Sequence, residues 1–310
     1  MSRITGTSSA PDLAILAGSG HEALAMHIAQ ALDVSTVPVA RERFPDGELS
    51  VRLLESVRGR QAVIVQPTGP PVDDHVLELL ALADACRRAA AGRIIAVVPY
   101  FGYARGDRRG GSRGPVMASL VAHLMEAAGI DHVITVDLHA PQIEGFFQIP
   151  VDEESAFPLF LPLVRDHLPA NIAVVSPDLG RLGLATLYAD QLATTAAVVH
   201  KRRTSGRESH ALQVVGDVAG RPCLIVDDMV ATGGTIVGCV DALARAGALP
   251  GIAIAATHGL FLSGAAAALR HPMVGPIWVT DTLPQAAGAS PRRSVVPIAP
   301  LLAAALDRLR

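Results

Sequence analysis

The chain has 310 residues, of which 50% are hydrophobic and 18% are charged, and its mean hydropathy is +0.37. A chain of this length favours two domains over one. The formal net charge of -3 provides no global basic field, which argues against nucleic acid or a membrane surface as a partner. Because few residues are charged, we expect part of the surface to be covered in a homo-oligomer.

Other features of the composition indicate a cytoplasmic protein. Residues 1–11 are polar and lack the apolar core of a signal peptide. Cys86, Cys223 and Cys239 lie in apolar patterns without metal or disulfide spacing, which predicts buried free thiols in a reducing compartment. Residues 246–269 carry no formal charge, but a proline, a histidine and four glycines interrupt them. We therefore expect a buried strand, a turn and a short helix there, rather than a membrane span.

Short apolar runs alternate with helical stretches along the chain, which predicts an α/β fold. The runs are hydrophobic throughout rather than at alternate positions, as in parallel strands covered on both faces. The predicted strands are residues 13–17, 62–65, 94–98, 133–136, 172–175, 196–199, 224–226, 252–256 and 277–280. The predicted helices are residues 72–91, 116–128, 182–192, 236–246 and 301–310.

A domain boundary is expected near residues 150–158, where prolines and acidic residues cluster. It divides the chain into a first domain of residues 1–155 and a second domain of residues 156–294. The terminal segment, residues 295–310, would pack back on either half, and we assign it to the first domain. The pattern thus predicts two α/β domains, each built around its own sheet.

The most informative stretch begins with Asp227 and Asp228, at the end of a strand predicted over residues 222–226. It ends with Thr232, Gly233, Gly234 and Thr235, directly before a predicted helix. Glycines let the backbone approach a ligand closely, and the first N–H groups of a helix bind anions. A glycine turn alone would merely connect a strand to a helix. No Gly-Lys-Ser/Thr follows, so the stretch is not a Walker nucleotide loop.

The two acids decide which anion this turn would bind. Two carboxylates beside an anion site would repel a bare phosphate. They are better suited to accept hydrogen bonds from vicinal sugar hydroxyls, or to act as outer partners of a metal ion. The combination of Asp227 and Asp228 with a backbone phosphate cup therefore predicts a site for a sugar phosphate.

Polar side chains follow four other predicted strands, at the edge where ligands bind in open parallel sheets. Residues 100–109 form an aromatic and basic loop, His139 and Asp178 follow two further strands, and Lys201 and Arg203 follow the next. Singly, these residues also fit a core histidine, a helix cap and a solvated strand end. Jointly, the histidine and the carboxylate suit Mg²⁺, held directly or through water, and the cations suit a transferring phosphoryl group.

Seven stretches, in order from about residue 13 to the C-terminus, together resemble the ribose-phosphate pyrophosphokinase family. They are residues 44–48, 100–109, 137–147, 176–178, 201–203, 216–218 and 227–235. The resemblance implies two phosphoribosyltransferase-like domains, each a mainly parallel sheet flanked by helices. It also implies a homo-oligomer, a hexamer or smaller.

The resemblance further implies the reaction and its residues. The family transfers the β,γ-diphosphoryl group of ATP to the C1 hydroxyl of ribose 5-phosphate, giving phosphoribosyl pyrophosphate and AMP, with Mg²⁺ as cofactor. By position, the implied ATP-binding residues are Phe44, Asp46, Glu48, Arg105 and Asp107. The implied residues for ribose 5-phosphate are Asp227, Asp228, Thr232, Gly233, Gly234 and Thr235. The implied metal-binding residues are His139 and Asp178, and the implied catalytic residues are Lys201 and Arg203.

In this family pattern Phe44 and Arg105 stack on adenine. Phe44, Asp46 and Glu48 reach into the ATP site from another subunit. Lys201 and Arg203 lie on a flexible loop that closes over the site. These roles require the phosphate cup and the two cations to face one cavity, with His139 and Asp178 between them.

Three positions depart from the family pattern. Ala231 replaces a third acid in the sugar-phosphate loop, Gly106 replaces a glutamine, and Arg181 replaces a glycine after the Ser-Pro-Asp motif. The backbone cup is expected to survive the change at Ala231, because amides form it. Arg181 would either add a phosphate contact or crowd the site. Two other functions stay open at this point: a non-catalytic paralogue that regulates a synthetase, and a phosphoribosyltransferase that consumes the activated sugar.

Overall fold

The computed structural model describes residues 12–203, 210–286 and 292–310, and at residues 201–203, 210 and 211 it describes the main chain only. The contacts divide the chain into two compact units. The first unit runs to Glu154 and includes Ala299–Arg310, and the second is Ser155–Ile298.

The first unit is built on a six-stranded sheet. Its elements are β1 (Leu13–Ala17), α1 (Glu22–Ala31), β2 (Thr36–Val37), β3 (Val39–Arg43), β4 (Leu49–Leu53), β5 (Gln61–Val65), α2 (Val72–Arg88), β6 (Arg93–Val98), α3 (Met117–Ala128), β7 (His132–Val136), β8 (Val151–Glu154) and α8 (Ala299–Asp307). The strand order is β2-β1-β5-β6-β7-β8, and every pair is parallel. β3 and β4 form a separate antiparallel hairpin.

Packing on both faces of this sheet explains its apolar strands. Every residue of β5 and β7 is buried, as expected for central parallel strands covered by helices. Ile64 packs with Leu79 and Leu82 of α2 and with Met125 of α3 in one core. The terminal helix α8 packs against α1 and β8, within the same unit.

The second unit is built on a seven-stranded sheet. Its elements are α4 (Phe157–His167), β9 (Ala173–Ser176), α5 (Leu182–Gln191), β10 (Thr195–Arg203), β11 (His210–Val215), β12 (Cys223–Val230), α6 (Gly234–Arg245), β13 (Ile252–Gly259), α7 (Ala265–Ala268), β14 (Val274–Thr280) and β15 (Arg293–Val296). The order is β11-β10-β9-β12-β13-β14-β15, and only the pair β10 and β11 is antiparallel.

The nine predicted strands and five predicted helices are all present, and the predicted α/β class with mainly parallel sheets is confirmed. The predicted strand, turn and short helix over residues 246–269 correspond to β13 and α7. β10 and β12 extend several residues beyond their predicted ends. The sequence-based prediction missed the remaining elements: α1, α4, β2, β3, β4, β8, β11 and β15.

Two predictions from composition can be compared with the coordinates. All three cysteines are buried and free, as predicted, and burial raises the pKa of the Cys223 thiol to about 11. Among the described residues, no helix combines the length and the apolar character that crossing a bilayer requires.

Candidate active site

The predicted sugar acids lie in the last part of β12, where the strand has lost one neighbour. β12 pairs with β9 only as far as Ile225, because β9 ends at Ser176. On its other side β12 continues beside β13 to Val230. Asp227 and Asp228 are therefore strand residues, and the prediction that the strand ends at 226 is wrong. The departure of β9 leaves space beside these two carboxylates.

The two carboxylates are close together and almost fully shielded from solvent. Their side chains are 11% exposed in Asp227 and 5% in Asp228. The backbone N–H of Asp228 donates a hydrogen bond to Oδ1 of Asp227 at 2.9 Å. Burial raises the pKa of Asp227 well above its usual value, and the negative charge of Asp228 raises this pKa further. A pair of this kind needs positive charge nearby if both carboxylates are to stay ionised.

Arg181 supplies that charge. Its Nη2 lies 2.8 Å from Oδ2 of Asp228, and its Nε lies 3.9 Å from Oδ1 of Asp227. Arg181 opposes the rise in the pKa of Asp227, but it is outweighed by burial and by Asp228. Arg181 thus forms an ion pair with the two acids, and the phosphate contact or crowding expected for it stays a prediction.

The turn after β12 has the backbone geometry of an anion site. The carbonyl of Val230 accepts hydrogen bonds from the N–H groups of Leu260 and Phe261, at 3.0 and 3.1 Å, which fixes the start of the turn. Gly233 has φ of 81°, in the left-handed region that glycine adopts without strain. Helix α6 then begins at Gly234, so the first N–H groups of a twelve-residue helix point out of the turn.

Packing behind the turn explains why position 233 holds glycine. Gly233 is buried, and a Cβ atom there would lie 3.2 Å from Cβ of Ala268 in α7. Thr232, Gly234 and Thr235, in contrast, are exposed. The backbone of the turn is thus held against α7 on one side and is open to a ligand on the other.

A cavity of about 560 Å³ connects the turn to the end of β9. Asp178 lines it from the loop after β9, Val199 and His200 line it from β10, and Gly234 and Thr235 line it from α6. Two of the predicted groups, the metal-binding carboxylate and the phosphate turn, therefore face a common space. Its volume lies within the range of small-molecule sites.

Asp178 is a helix cap, one of the two roles that the sequence left open, and its role as a metal ligand stays a prediction. It precedes a 3-10 helix at Leu179–Arg181, and its Oδ1 accepts a hydrogen bond from the backbone N–H of Arg181 at 3.2 Å. The hydroxyl of Ser176 donates to the carbonyl of Asp178 at 2.6 Å. The cap fixes the direction of the carboxylate, and the residue is nevertheless exposed at the cavity.

The predicted catalytic cations lie at the end of β10. The main chain pairs Lys201 with Leu212 and Arg203 with His210 of β11. Both positions are therefore in a strand, and the expectation that they lie in a loop is wrong. Residues 204–209, which were predicted to close over the site, lie outside the described residues, as do the side chains of Lys201 and Arg203.

In the first unit, the predicted adenine-binding segment is the tip of the hairpin formed by β3 and β4. Phe44 is 46% exposed there. Its N–H donates to the carbonyl of Glu48 at 2.9 Å, and the N–H of Glu48 donates to Oδ1 of Asp46 at 3.1 Å. Gly47 closes the turn with φ of 95°. The hairpin thus presents an exposed aromatic ring and two exposed acids on a defined turn.

The other predicted residues of the first unit follow β6 and β7. Arg105 is exposed in a 3-10 helix at Ala104–Gly106. Next to it, Asp107 accepts a hydrogen bond from the side chain of Gln142, which ties this loop to the segment after β7. His139 is half-buried in that segment. Its distance from Asp178 stays a prediction, because the two residues belong to different units.

The donor set is sparse for a metal ion. In the residues that the structure describes, no group of three or more His, Cys, Asp or Glu side chains could hold a metal ion by itself. A site with one carboxylate and one imidazole fits Mg²⁺ only if substrate phosphates and water complete the coordination, which is how Mg²⁺ is usually held.

One signal in the sequence was overlooked. Of the 26 basic residues in the chain, Lys201 is the only lysine. The other 25 are arginines, and the lysine stands at the predicted catalytic position. Lysine and arginine differ in shape, hydration and donor geometry, so this contrast points to a specific need for an ammonium group.

Asp227→Asn is expected to stabilise the fold at neutral pH by about 1 kcal/mol. The amide oxygen still accepts the hydrogen bond from Asp228, but the charge that burial disfavours is removed. The raised pKa of Asp227 means that the native protein gains stability as the pH falls through that pKa. The difference in the free energy of unfolding between Asp227→Asn and the native protein should therefore shrink toward acid pH. Urea unfolding between about pH 4 and about pH 8 measures this difference.

The exposed Asp166 provides the control for this experiment. Asp166→Asn removes one negative charge without relieving a buried one, so it should leave the free energy of unfolding nearly unchanged at every pH. A destabilised Asp227→Asn protein at neutral pH would contradict the conclusion that burial disfavours the charge of Asp227.

Comparison with known proteins agrees with these features. Residues 13–129 match the model of the N-terminal domain of ribose phosphate pyrophosphokinase, and residues 202–310 match that of the phosphoribosyl synthetase-associated domain. The chain is 44% identical over 300 residues to the ribose-phosphate pyrophosphokinase of Chromobacterium violaceum, covering 96% of this chain and 91% of the relative. It is 43% identical over 297 residues to that of Bradyrhizobium diazoefficiens, covering 95% and 93%.

The crystal structure of phosphoribosylpyrophosphate synthetase from Mycobacterium smegmatis is similar over the whole fold. It has a TM-score of 0.90 and 39% sequence identity, and the match covers 96% of this chain and 98% of that one. These relatives confirm the predicted fold and the predicted enzyme class. The chain belongs to the ribose-phosphate pyrophosphokinase family.

Proposed function

We propose that the chain binds ribose 5-phosphate at the end of β12 and transfers the β,γ-diphosphoryl group of ATP to its C1 hydroxyl. The observation that carries this assignment is the junction of the two buried acids with an open backbone turn at the start of α6. Thr232, Gly233, Gly234 and Thr235 would bind the 5-phosphate. Asp227 and Asp228 would accept hydrogen bonds from the ribose hydroxyls.

The electrostatics of the junction support this division of roles. The start of a helix carries partial positive charge and suits a dianionic phosphate. The carboxylates lie further back in the strand, where a neutral hydroxyl donor is favourable and a second phosphate is not. A sugar phosphate has both groups at a fixed separation. The reacting C1 hydroxyl of such a sugar would then face the cavity that Asp178 lines.

ATP would bind with residues of the first unit. Phe44 and Arg105 are proposed to hold the adenine ring, with Asp46, Glu48 and Asp107 around the nucleotide. The hairpin tip with Phe44 is exposed, which supports its use across a subunit contact in a homo-oligomer, a hexamer or smaller. Exposed aromatic and arginine side chains are frequent in such contacts.

Family membership carries a requirement for a divalent metal ion, and we assign Mg²⁺, with His139 and Asp178 as its protein ligands. When bound, the ion would neutralise charge on the phosphate oxygens of ATP. The protein's own contribution is to orient the two ligands: the cap at Arg181 N–H fixes Asp178, and the turn after β7 positions His139.

Lys201 and Arg203 are proposed to stabilise the charge that develops on the transferred diphosphoryl group. Phosphoryl transfer requires mainly alignment and positive charge from the protein. Both residues follow the part of β10 that lines the cavity beside the phosphate turn. The presence of a single lysine in the chain, at this position, supports a dedicated role.

Release of AMP with ATP, Mg²⁺ and ribose 5-phosphate tests the function directly. We expect AMP and phosphoribosyl pyrophosphate in equal amounts, with no AMP when the sugar phosphate is omitted. A regulatory paralogue would release no AMP, and a phosphoribosyltransferase would instead consume phosphoribosyl pyrophosphate with a base. Phosphorus NMR distinguishes these three outcomes.

Lys201→Ala is expected to lower kcat by about 10² or more, with the fold intact. Lys201→Arg should lose most of this activity as well, because a planar guanidinium does not replace a compact ammonium group. Steady-state kinetics with both substrates measures kcat and each KM. The adjacent cation provides the control: Arg202→Ala should keep kcat near the native value. Native turnover in Lys201→Arg would contradict the specific need for lysine.

Gly233→Ala is expected to weaken ribose 5-phosphate binding by about tenfold or more, because alanine costs roughly 1–2 kcal/mol at a left-handed φ and would displace the turn. Gly247 provides a matched control, since it also has a positive φ, of 83°, but lies after the end of α6. Gly247→Ala should lose similar stability and keep the affinity. Calorimetry and thermal unfolding measure both quantities, and equal affinity in both variants would contradict a phosphate cup at Gly233.

A further inference from the structure

Arg181 lies at the proposed sugar site and departs from the family pattern. Nη2 lies 2.8 Å from Asp228, and the side chain is only 15% exposed. The family pattern has glycine at this position, which cannot reach the acids. The side chain of Arg181 therefore supplies a contact to the acids that glycine at this position does not.

The local structure directs Arg181 toward the acids. Its main chain is fixed by the cap from Asp178 and by the start of α5 at Leu182. β9 has ended at Ser176, so its place beside the last residues of β12 is free for a side chain from the following segment. The guanidinium enters that place and lies against the carboxylates at their edge.

Different cations compete for the position beside Asp227 and Asp228. Two neighbouring buried carboxylates attract any cation that fits, and a divalent metal ion with oxygen ligands is the usual alternative to a basic side chain. A guanidinium is always charged and presents donors in a plane, which suits two acceptors side by side. While Arg181 is in place, a divalent cation beside Asp228 would meet a positive charge at contact distance.

We infer that Arg181 is the resident counter-ion of Asp227 and Asp228, and that it excludes divalent cations from this pair. The inference rests on the proposed function in one respect, namely that the pair holds the sugar hydroxyls. It follows that ribose 5-phosphate binds to this chain without a metal ion at the acids. The divalent metal ion that the reaction requires is then bound together with ATP.

Binding of Mn²⁺ without nucleotide, measured by electron paramagnetic resonance, tests the exclusion. Arg181→Ala is expected to bind Mn²⁺ at least about tenfold more tightly than the native protein, because the positive charge at contact distance from the two carboxylates is removed. The double variant Arg181→Ala with Asp228→Asn should lose this gain. Asp228→Asn alone should bind Mn²⁺ as the native protein does, since the acids of the native protein hold no Mn²⁺.

Two further variants test whether the position of the positive charge matters. Arg181→Lys keeps the positive charge and should exclude Mn²⁺ like the native protein. Arg245→Ala removes an exposed cation at the end of α6 and should change nothing. If Arg181→Ala fails to fold, the comparison of the native protein with Asp228→Asn still decides, because Mn²⁺ lost on the Asp228 substitution would overturn the inference. A folded Arg181→Ala protein without a new site would also overturn it.

Calorimetric titration of ribose 5-phosphate, with EDTA or with Mg²⁺, tests the consequence for the sugar. The native dissociation constant should change less than about twofold, whereas that of Arg181→Ala should improve about tenfold or more when Mg²⁺ is added. Equal responses of the two proteins would overturn the inference. Failure of ribose 5-phosphate to bind the native protein at all would instead contradict the proposed sugar site, and the Mn²⁺ result would still decide the role of Arg181.

Discussion

The candidate site of the second unit depends on the balance of charge at the end of β12. Asp227 and Asp228 are adjacent, largely buried and linked by one backbone hydrogen bond. The two carboxylates repel each other, and burial strengthens the repulsion. Arg181 reduces this repulsion, but burial still raises the pKa of Asp227. Such stored strain is common at binding sites, where a ligand rather than the fold satisfies the charged groups.

The same strand separates two kinds of recognition. Under the proposed function, side chains of β12 accept hydrogen bonds from hydroxyl groups, and the backbone after the strand donates to a phosphate. The backbone part depends on geometry, which Gly233 and its contact with α7 fix. We therefore expect Ala231, in place of a third acid, to leave it intact. The side-chain part, Asp227 and Asp228, depends on the charge around it. Arg181, where the family pattern has glycine, places a positive charge beside this pair.

How much of this the sequence predicts depends on whether the signal is local. β5 and β7 are predictable because parallel strands covered on both faces are continuously apolar. β8 is missed because three of its four residues are acidic, and α4 because Pro162 lies inside it. The end of β12 is misplaced because two aspartates read as a turn. The ion pair of Arg181 joins residues far apart in the chain, so no local pattern contains it.

The two kinds of cation in this chain follow from the same distinction. At the acid pair, the negative charge is fixed, and the guanidinium of Arg181 lies 2.8 Å from Asp228 and 3.9 Å from Asp227. At a transferring phosphoryl group, charge shifts between oxygens, and a compact ammonium group can follow it with any of its three donors. The single lysine of the chain, at position 201, is the residue that the proposed role in phosphoryl transfer calls for. Under the proposed function, arginine is used where the negative charge is fixed, at the acid pair, and lysine is used where the negative charge shifts during the reaction.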